Sequence, residues 1–217
     1  DVDRDVIRNG IIFRNDVVQA IGKPVGLVDE TVWFNAREPI AQLFKPRGGE
    51  TDGDRFLVVA NHFKSKSAGN STGDNADAGD GQGQWNGDRV RQAASLVTFV
   101  ADLSRKKEES DVVLLGDFNA YTQEDPMEVF RKAGYTDLGS AFDAERYSYV
   151  FDDMSGSLDH ALGTASLTGK VTGVAHWNIN SVESFAYQYV GDPALYAPNQ
   201  YRSSDHDPLV LGLDLVE

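Results

Sequence analysis

The sequence has no cysteine, which excludes disulfide bonds, thiolate catalysis and zinc sites built on cysteine. It also has no apolar run near the roughly 20 residues that a membrane-spanning helix needs. Basic residues are scarce, with 20 Lys and Arg against 34 Asp and Glu, and the formal net charge is −14. Such a charge argues against a basic face that binds nucleic acid directly. It does not argue against an enzyme that meets phosphate groups through bound divalent cations, because clustered carboxylates attract such ions.

The length of 217 residues is suited to one domain, residues 1–217, with a large buried core. Apolar runs bounded by turn residues predict strands in "REPIAQLFK", "RFLVVANHF", "DVVLLGDFNA", "SLDHALGT" and "PLVLGLDL". The segment "VIRNGIIFRNDVVQAIG" predicts two short strands joined by a turn at Asn15 and Asp16. Helical spacing predicts an amphipathic helix in "NGDRVRQAASLVTFVADLSRKK" and a short helix in "EDPMEVFRKAG". Because strands and helices mix without strict alternation, we expect stacked sheets flanked by helices.

Residues 65–86 form a long stretch rich in Gly, Asp, Asn and Ser that has no periodicity. The composition predicts a flexible surface loop within the domain. Its Asp residues also suggest a calcium site, but "DNADAGDG" lacks the alternating ligand pattern of an EF-hand loop. We therefore favour the solvated loop.

Four predicted strands share one form, since each has a polar, ligand-capable residue at one end. The four places are "VVANHFK", "VVLLGDFN", "SLDHA" and "SSDHDPLV". Active sites are commonly built where loops leave the ends of strands. If these ends converge, they gather His62, Asp117, Asn119, Asp159, Asp205 and His206. Oxygen ligands without thiolates favour Mg²⁺, with Mn²⁺ or Ca²⁺ as alternatives.

This set of motifs resembles the endonuclease/exonuclease/phosphatase superfamily, which includes DNase I and the abasic-site endonucleases. The matching stretches are "NHFK" at 61–64, "GDFNA" at 116–120, "SLDHAL" at 157–162 and "SSDHDP" at 203–208. The segments "IRNGIIFRNDVV" and "DGQGQWNGDRVRQA" are similar to those of the bacterial extracellular nucleases in this superfamily. The resemblance covers nearly the whole chain. It implies a DNase I-like four-layer α/β sandwich, with two stacked mixed sheets flanked by helices, and hydrolysis of a phosphodiester.

The resemblance also implies roles for single residues. His206 would be the general base, with Asp159 fixing its tautomer. Asp117 and Asn119 would hold the attacking water and the phosphate or metal, and His62 would donate to the phosphate or to the leaving oxygen. The metal ligands would be Asp205 and Asn119. Each of these residues also has a structural reading, as a turn or core residue.

Three further residues are candidates for substrate contact. Arg89 heads the predicted amphipathic helix, Arg202 precedes the Asp-His pair, and Trp85 could stack on a base. A solvated helix face for Arg89 and a loop anchor for Trp85 are the alternatives. We expect a structural role for His160 and assign none to His176.

One departure from the superfamily pattern concerns a metal ligand. Members carry an Asn-bearing strand and a Gln-Glu pair, whose Glu binds metal, before the strand that corresponds to "GIIFR". This sequence starts only a few residues before that strand, so we expect a C-terminal portion of a longer domain whose partners are that N-terminal segment and a nucleic acid. An extracellular or cell-surface location is expected by resemblance only. The alternatives are a phosphoesterase acting on phospholipid or sugar phosphate, and a non-catalytic fragment that lacks half of the metal site.

Overall fold

A computed structural model describes residues 7–49, 51, 54–67, 69–144, 146–151, 153–188 and 190–215. The strands are β1 (Val18–Gly26), β2 (Arg37–Pro46), β3 (Phe56–His62), β4 (Val112–Asp117), β5 (Thr136–Asp137), β6 (Tyr149–Phe151), β7 (Met154–Gly156), β8 (Asp159–Gly163), β9 (Val171–His176) and β10 (Leu209–Leu213). The helices are α1 (Asn86–Lys107), α2 (Asp125–Lys132), α3 (Leu138–Phe142) and α4 (Ala165–Thr168). None of the helices in these described ranges is long and apolar enough to cross a membrane.

Six strands form the central sheet in the order β1-β2-β3-β4-β8-β5. The pair β3 and β4 is parallel, whereas the other neighbouring strands are antiparallel, so the sheet is mixed. The long helix α1 and the shorter α2 contribute to a large apolar cluster with one face of this sheet, which includes Leu57, Val59, Leu96, Leu114 and Phe130. This cluster is the main core, and it fixes the strand ends that carry the predicted site.

A second sheet, made of β9 and β10, packs on the other side of the central sheet. Leu209, Leu211 and Leu213 on β10 contact a cluster centred on Val113 and Ala161 of the central sheet. The described residues therefore form a helical layer, a six-stranded sheet and a second sheet. The prediction of a mixed α/β fold with stacked sheets flanked by helices is confirmed.

The predicted N-terminal strand pair is only half correct. Residues 15–17 form the expected turn and β1 follows it, but residues 7–14 are not part of a strand. Side-chain contacts hold this segment instead of a backbone ladder: Asn9 donates to the carbonyl oxygens of Arg37 and Glu38, at 3.2 and 2.9 Å, and the ring of Phe13 packs edge-on against Phe44.

The loop predicted at 65–86 is anchored to the start of α1. The backbone carbonyl oxygen of Asn75 accepts from the backbone N–H of Trp85 at 2.8 Å. The side-chain oxygen of Asn75 accepts from the backbone N–H of Asp88, also at 2.8 Å. Arg91 on α1 pairs with Asp74 of the loop and with Asp88. The described part of the loop contains one 3-10 turn, Gly73–Asn75. These bonds hold one side of the loop on the helix, while its flexibility elsewhere stays a prediction.

Candidate active site at the ends of four strands

Four ionisable side chains lie side by side across the central sheet. Strand pairing places Arg37 opposite His62, His62 opposite Asp117, and Asp117 opposite Asp159. We call these four residues the cross-strand row. Because neighbouring strands lie roughly 4.8 Å apart, pairing in register brings side chains into contact without any help from loops.

His206 reaches the end of this row from a turn that precedes β10. Its Nδ1 lies 2.7 Å from Oδ2 of Asp159. The next residue, Asp207, is buried and braces the turn, since it accepts from the backbone N–H groups of Asn180 and Ser181 and from the side chain of Asn178. Asp207 therefore braces the turn, and His206 is left facing the row.

The pKa values of His206 and Asp117 are both raised in the site. Burial lowers the pKa of His206, but the hydrogen bond with Asp159 and the negative charges of Asp159, Asp117 and Asp205 outweigh it and raise the pKa to about 9. Burial, together with the negative charge of Asp159, raises the pKa of Asp117 to about 7. A carboxylate that titrates near neutral pH beside an imidazole is suited to proton transfer.

Asn119 lies two residues after the end of β4 in a left-handed conformation, with φ at 48°. Its backbone N–H and its side-chain amide donate to the two carboxylate oxygens of Asp117, at 2.7 and 3.0 Å. The same amide nitrogen also donates to the carbonyl of Phe63 at 3.1 Å. With its N–H groups engaged inside the protein, Asn119 has its amide oxygen left for water, phosphate or a cation.

His62 contacts both of its neighbours in the row. Its Nε2 lies 3.5 Å from Oδ2 of Asp117 and 3.4 Å from Nη1 of Arg37. The sequence motifs do not identify Arg37, although this residue begins the predicted strand "REPIAQLFK". The signal that identifies it is the register of β2 against β3, which is a tertiary property.

The described residues fit a divalent metal only in part. Asp205 is half-buried and is the residue before His206. Asp205 and Asn119 both offer hard oxygen donors. However, in the described ranges no three His, Asp or Glu side chains converge as they do around a bound metal ion. Mg²⁺ prefers about six oxygen ligands in octahedral geometry. Asp205 and Asn119 would therefore form part of a coordination shell.

The predicted substrate contacts require correction for both arginines. Arg89 is fully buried, and its guanidinium donates to the carbonyl oxygens of Gln84 and Gln82 at 2.8 and 3.0 Å. Arg202 is also buried and donates to the carbonyl of Asn180. Both side chains replace water around backbone carbonyls of loops, so neither presents a charge to a substrate.

Trp85 is a loop anchor in this structure. It is half-buried, and its indole N–H donates to the carbonyl of Ser67 at 3.1 Å. The ammonium of Lys64, two residues after His62, lies 4.8 Å above the ring centroid. The ring is thus occupied by a cation on one face, and stacking of a base on the other face stays a prediction.

The two remaining histidines are buried beneath the site. His160 is held between the carbonyl of Ala120, at 2.8 Å, and the carboxylate of Asp137, at 3.5 Å. His176 contacts Asp143 through Nδ1 at 2.9 Å and Ser157 through Nε2 at 3.2 Å. These contacts fix the backbone around the row, which is the structural role expected for His160 and one that the sequence did not indicate for His176.

A family model for the Endonuclease/Exonuclease/phosphatase family matches residues 9–206. The chain belongs to the endonuclease/exonuclease/phosphatase family. The match includes the first three motifs, the fourth as far as His206, and the whole cross-strand row. Superfamily members are hydrolases, among them nucleases and phosphatases. A comparison with curated protein sequences gives no match.

Solved structures of this family share the DNase I-like fold at low sequence identity. The human Nocturnin catalytic domain with bound sulfate is 16% identical, with a TM-score of 0.55, and the match covers 92% of this chain and 62% of that one. Mannosyl-6-phosphatase Bt3783 of Bacteroides thetaiotaomicron is 19% identical, with a TM-score of 0.60, over 93% of this chain and 69% of that one. The 3′ phosphatase NExo from Neisseria, bound to a product DNA hairpin, is 16% identical, with a TM-score of 0.52, over 82% and 65%. The chain thus spans less than two thirds of the Nocturnin domain.

Proposed function

We propose that the chain carries the catalytic residues of a divalent-metal-dependent phosphodiesterase, an extracellular endonuclease that cleaves DNA or RNA. The observation that carries the proposal is the His206–Asp159 pair at 2.7 Å, set beside Asp117 in one row. A carboxylate on one imidazole nitrogen fixes the tautomer and leaves the other nitrogen for proton transfer. The extracellular location rests on the motif resemblance.

In the proposed reaction a water oxygen attacks phosphorus, and the bond to the leaving oxygen breaks. His206, in its neutral form, accepts the water proton on the imidazole nitrogen that Asp159 leaves open, and Asp117 orients the attacking water by accepting its second O–H. Arg37 binds a non-bridging phosphate oxygen, and His62 beside it donates a hydrogen bond to the phosphate or the leaving oxygen. A divalent cation, when bound at Asp205 and Asn119, supplies positive charge for the developing negative charge on phosphate.

We further propose that a segment preceding residue 1 completes the metal site with the Glu ligand and the phosphate-facing Asn that family members carry. The support is the motif resemblance, which assigns these two residues to an upstream segment, and the described ranges bring no three His, Asp or Glu side chains together. The 217-residue chain should then cleave weakly. Supplying the segment in cis, or as a separate chain, should raise cleavage and metal affinity together.

The test is cleavage of supercoiled plasmid by the 217-residue chain and by the longer chain, with Mg²⁺ and with EDTA. Open-circular and linear products that need Mg²⁺ are expected, and His206→Ala should lower kcat by at least ~10² with an unchanged circular dichroism spectrum. Full cleavage in EDTA, or an undiminished rate in His206→Ala, would contradict the proposal.

The similarity to a mannosyl-6-phosphatase makes a sugar phosphate the second candidate substrate. Phosphate release from mannose 6-phosphate, or turnover of sphingomyelin as the phospholipid alternative, without plasmid cleavage would replace the nuclease assignment.

A further inference from the structure

We propose that Ser148 and Tyr149 are positioning residues that hold the imidazole of His206 against Asp159. Neither residue belongs to the motifs that identify the family. The inference rests on the proposed function, because it assigns to these residues an effect on the proton-transfer pair. It comes from the hydrogen bonds and the ring contact of one short segment at the start of β6.

Ser148 joins the two parts of the chain that carry the pair. Its side chain is fully buried, and its Oγ accepts from the backbone N–H groups of Leu158 and Asp159, at 3.1 and 3.0 Å. Its carbonyl oxygen accepts from the N–H of Asp207 at 2.8 Å. One residue therefore fixes the backbone at Asp159 and the backbone immediately after His206.

Asn178 reinforces this link from a third segment. Its side-chain amide donates to the carbonyl of Tyr147 at 2.9 Å and to the carboxylate of Asp207 at 2.9 Å. The backbone before Tyr149 is thus tied to the turn that bears His206 through two independent paths. A displacement of Tyr149 relative to His206 would have to break buried hydrogen bonds, which is costly.

Tyr149 restrains the rotation of the imidazole ring of His206, which the hydrogen bond to Asp159 leaves free. The two rings lie with their centroids 4.5 Å apart and their planes at 33°. The second side-chain torsion of histidine has broad minima, so a single hydrogen bond at Nδ1 does not fix the ring plane. An aromatic face packed on the imidazole does fix it. Since a misplacement of about 1 Å can lower a rate by about 10²-fold, holding the plane has a kinetic consequence.

The experiment measures plasmid cleavage by three variants. The variants are made in the longer chain that includes the preceding segment, or in the 217-residue chain if that chain cleaves by itself. Tyr149→Leu removes the aromatic face and should lower kcat by about 10-fold or more, with KM within about threefold. Tyr149→Phe keeps the face and should restore kcat to within about threefold. Phe151→Leu, in the same hairpin and 59% exposed, is the matched control and should leave both constants unchanged.

A double variant separates positioning from substrate binding. If Tyr149 acts through His206, then Tyr149→Leu should cause no further loss of kcat in a His206→Ala background. A rise in KM with kcat unchanged would overturn the inference and identify Tyr149 as a substrate contact. An equal loss in both backgrounds would overturn it as well.

A readout without turnover keeps the inference separate from the proposed function. In the ¹H NMR spectrum, the proton between Nδ1 of His206 and Asp159 should give a strongly downfield signal that is sharp in the wild type and in Tyr149→Phe. It should be broadened or lost in Tyr149→Leu and absent in His206→Ala. A signal equally sharp in Tyr149→Leu would overturn the positioning role, whether or not the chain cleaves plasmid. Absence of cleavage with the expected pattern of signals would overturn the proposed function alone.

Discussion

Replacing Asp117 by Asn should inactivate the protein and yet make it more stable in the absence of metal. The wild-type carboxylate has a side chain that is only 16% exposed and lies beside Asp159. Burial, together with the negative charge of Asp159, raises the pKa of Asp117 from 3.8 to about 7. A folded pKa above the unfolded one means that folding favours the protonated carboxyl. The stability therefore falls as the pH rises from about 4 to 7, and the full penalty is present above pH 7.

The size of the effect follows from that shift. A rise from 3.8 to about 7 corresponds to at most about 4 kcal/mol of destabilisation, at about 1.4 kcal/mol per pKa unit. Two effects of the substitution reduce the gain. An amide nitrogen in place of Oδ2 could not accept the 3.0 Å bond that the side chain of Asn119 now donates, which costs about 1 kcal/mol. The favourable charge interaction with His206 is also lost. We expect a net gain of about 1–3 kcal/mol at pH 8.

Thermal unfolding in EDTA at pH 5.5 and pH 8 measures this gain. For a domain of this length, about 1–3 kcal/mol corresponds to a rise in Tm of about 3–10 °C at pH 8, and the rise should be smaller at pH 5.5. Asp214→Asn is the control, because it removes the same formal charge from an exposed side chain. The reasoning is refuted if Asp117→Asn is no more stable than the wild type at pH 8, or if its advantage is the same at both pH values.

Two further predictions concern the backbone and the charge of the site. Gly116→Ala should destabilise the protein by at least about 2 kcal/mol in urea, because φ is +134° and the new Cβ would lie 2.1 Å from the carbonyl oxygen of Asn61. Gly173→Ala, where a Cβ meets nothing within 4 Å, should change stability by less than about 1 kcal/mol, and equal losses would contradict the steric argument. Arg37→Gln should lower kcat/KM for plasmid about 10- to 100-fold, whereas the exposed Arg105→Gln should not. An unchanged kcat/KM in Arg37→Gln would remove Arg37 from the phosphate site.

Much of the site could be predicted from the sequence because its residues sit in local patterns. A buried strand followed by a polar residue is visible in "VVLLGDFN", and β4 ends at Asp117 as that pattern predicts, while β8 begins at Asp159 of "SLDHA". Helix α1 was predicted with its observed bounds, since apolar periodicity runs through it and basic residues mark its last turn. The convergence of His62, Asp117 and Asp159 then follows from strand pairing.

The parts that could not be predicted depend on contacts between distant segments. Arg89 and Gln92 lie on the buried face of α1, where apolar periodicity predicts no polar residue. Their burial depends on distant partners, because carbonyl oxygens of loops accept from the guanidinium of Arg89 and the side chain of Gln92 accepts from the backbone N–H of Lys64. Arg37 gained its role only from the register of β2. Ser148 has no distinguishing neighbours in the sequence, and only the fold brings its hydroxyl to Asp159.

The cross-strand row also determines where this domain tolerates changes in length. Insertions in the loops between strands leave the alignment of His62, Asp117 and Asp159 intact, because the strands themselves set it. A single residue inserted within β4 would shift its pairing and turn every following side chain of the strand to the opposite face. Homologues that keep hydrolytic activity should therefore vary freely in loop length, as between β3 and α1. They should keep a constant number of residues between the buried part of each strand and the polar residue at its end. That spacing offers a criterion for recognising active members among sequences too divergent to align by identity.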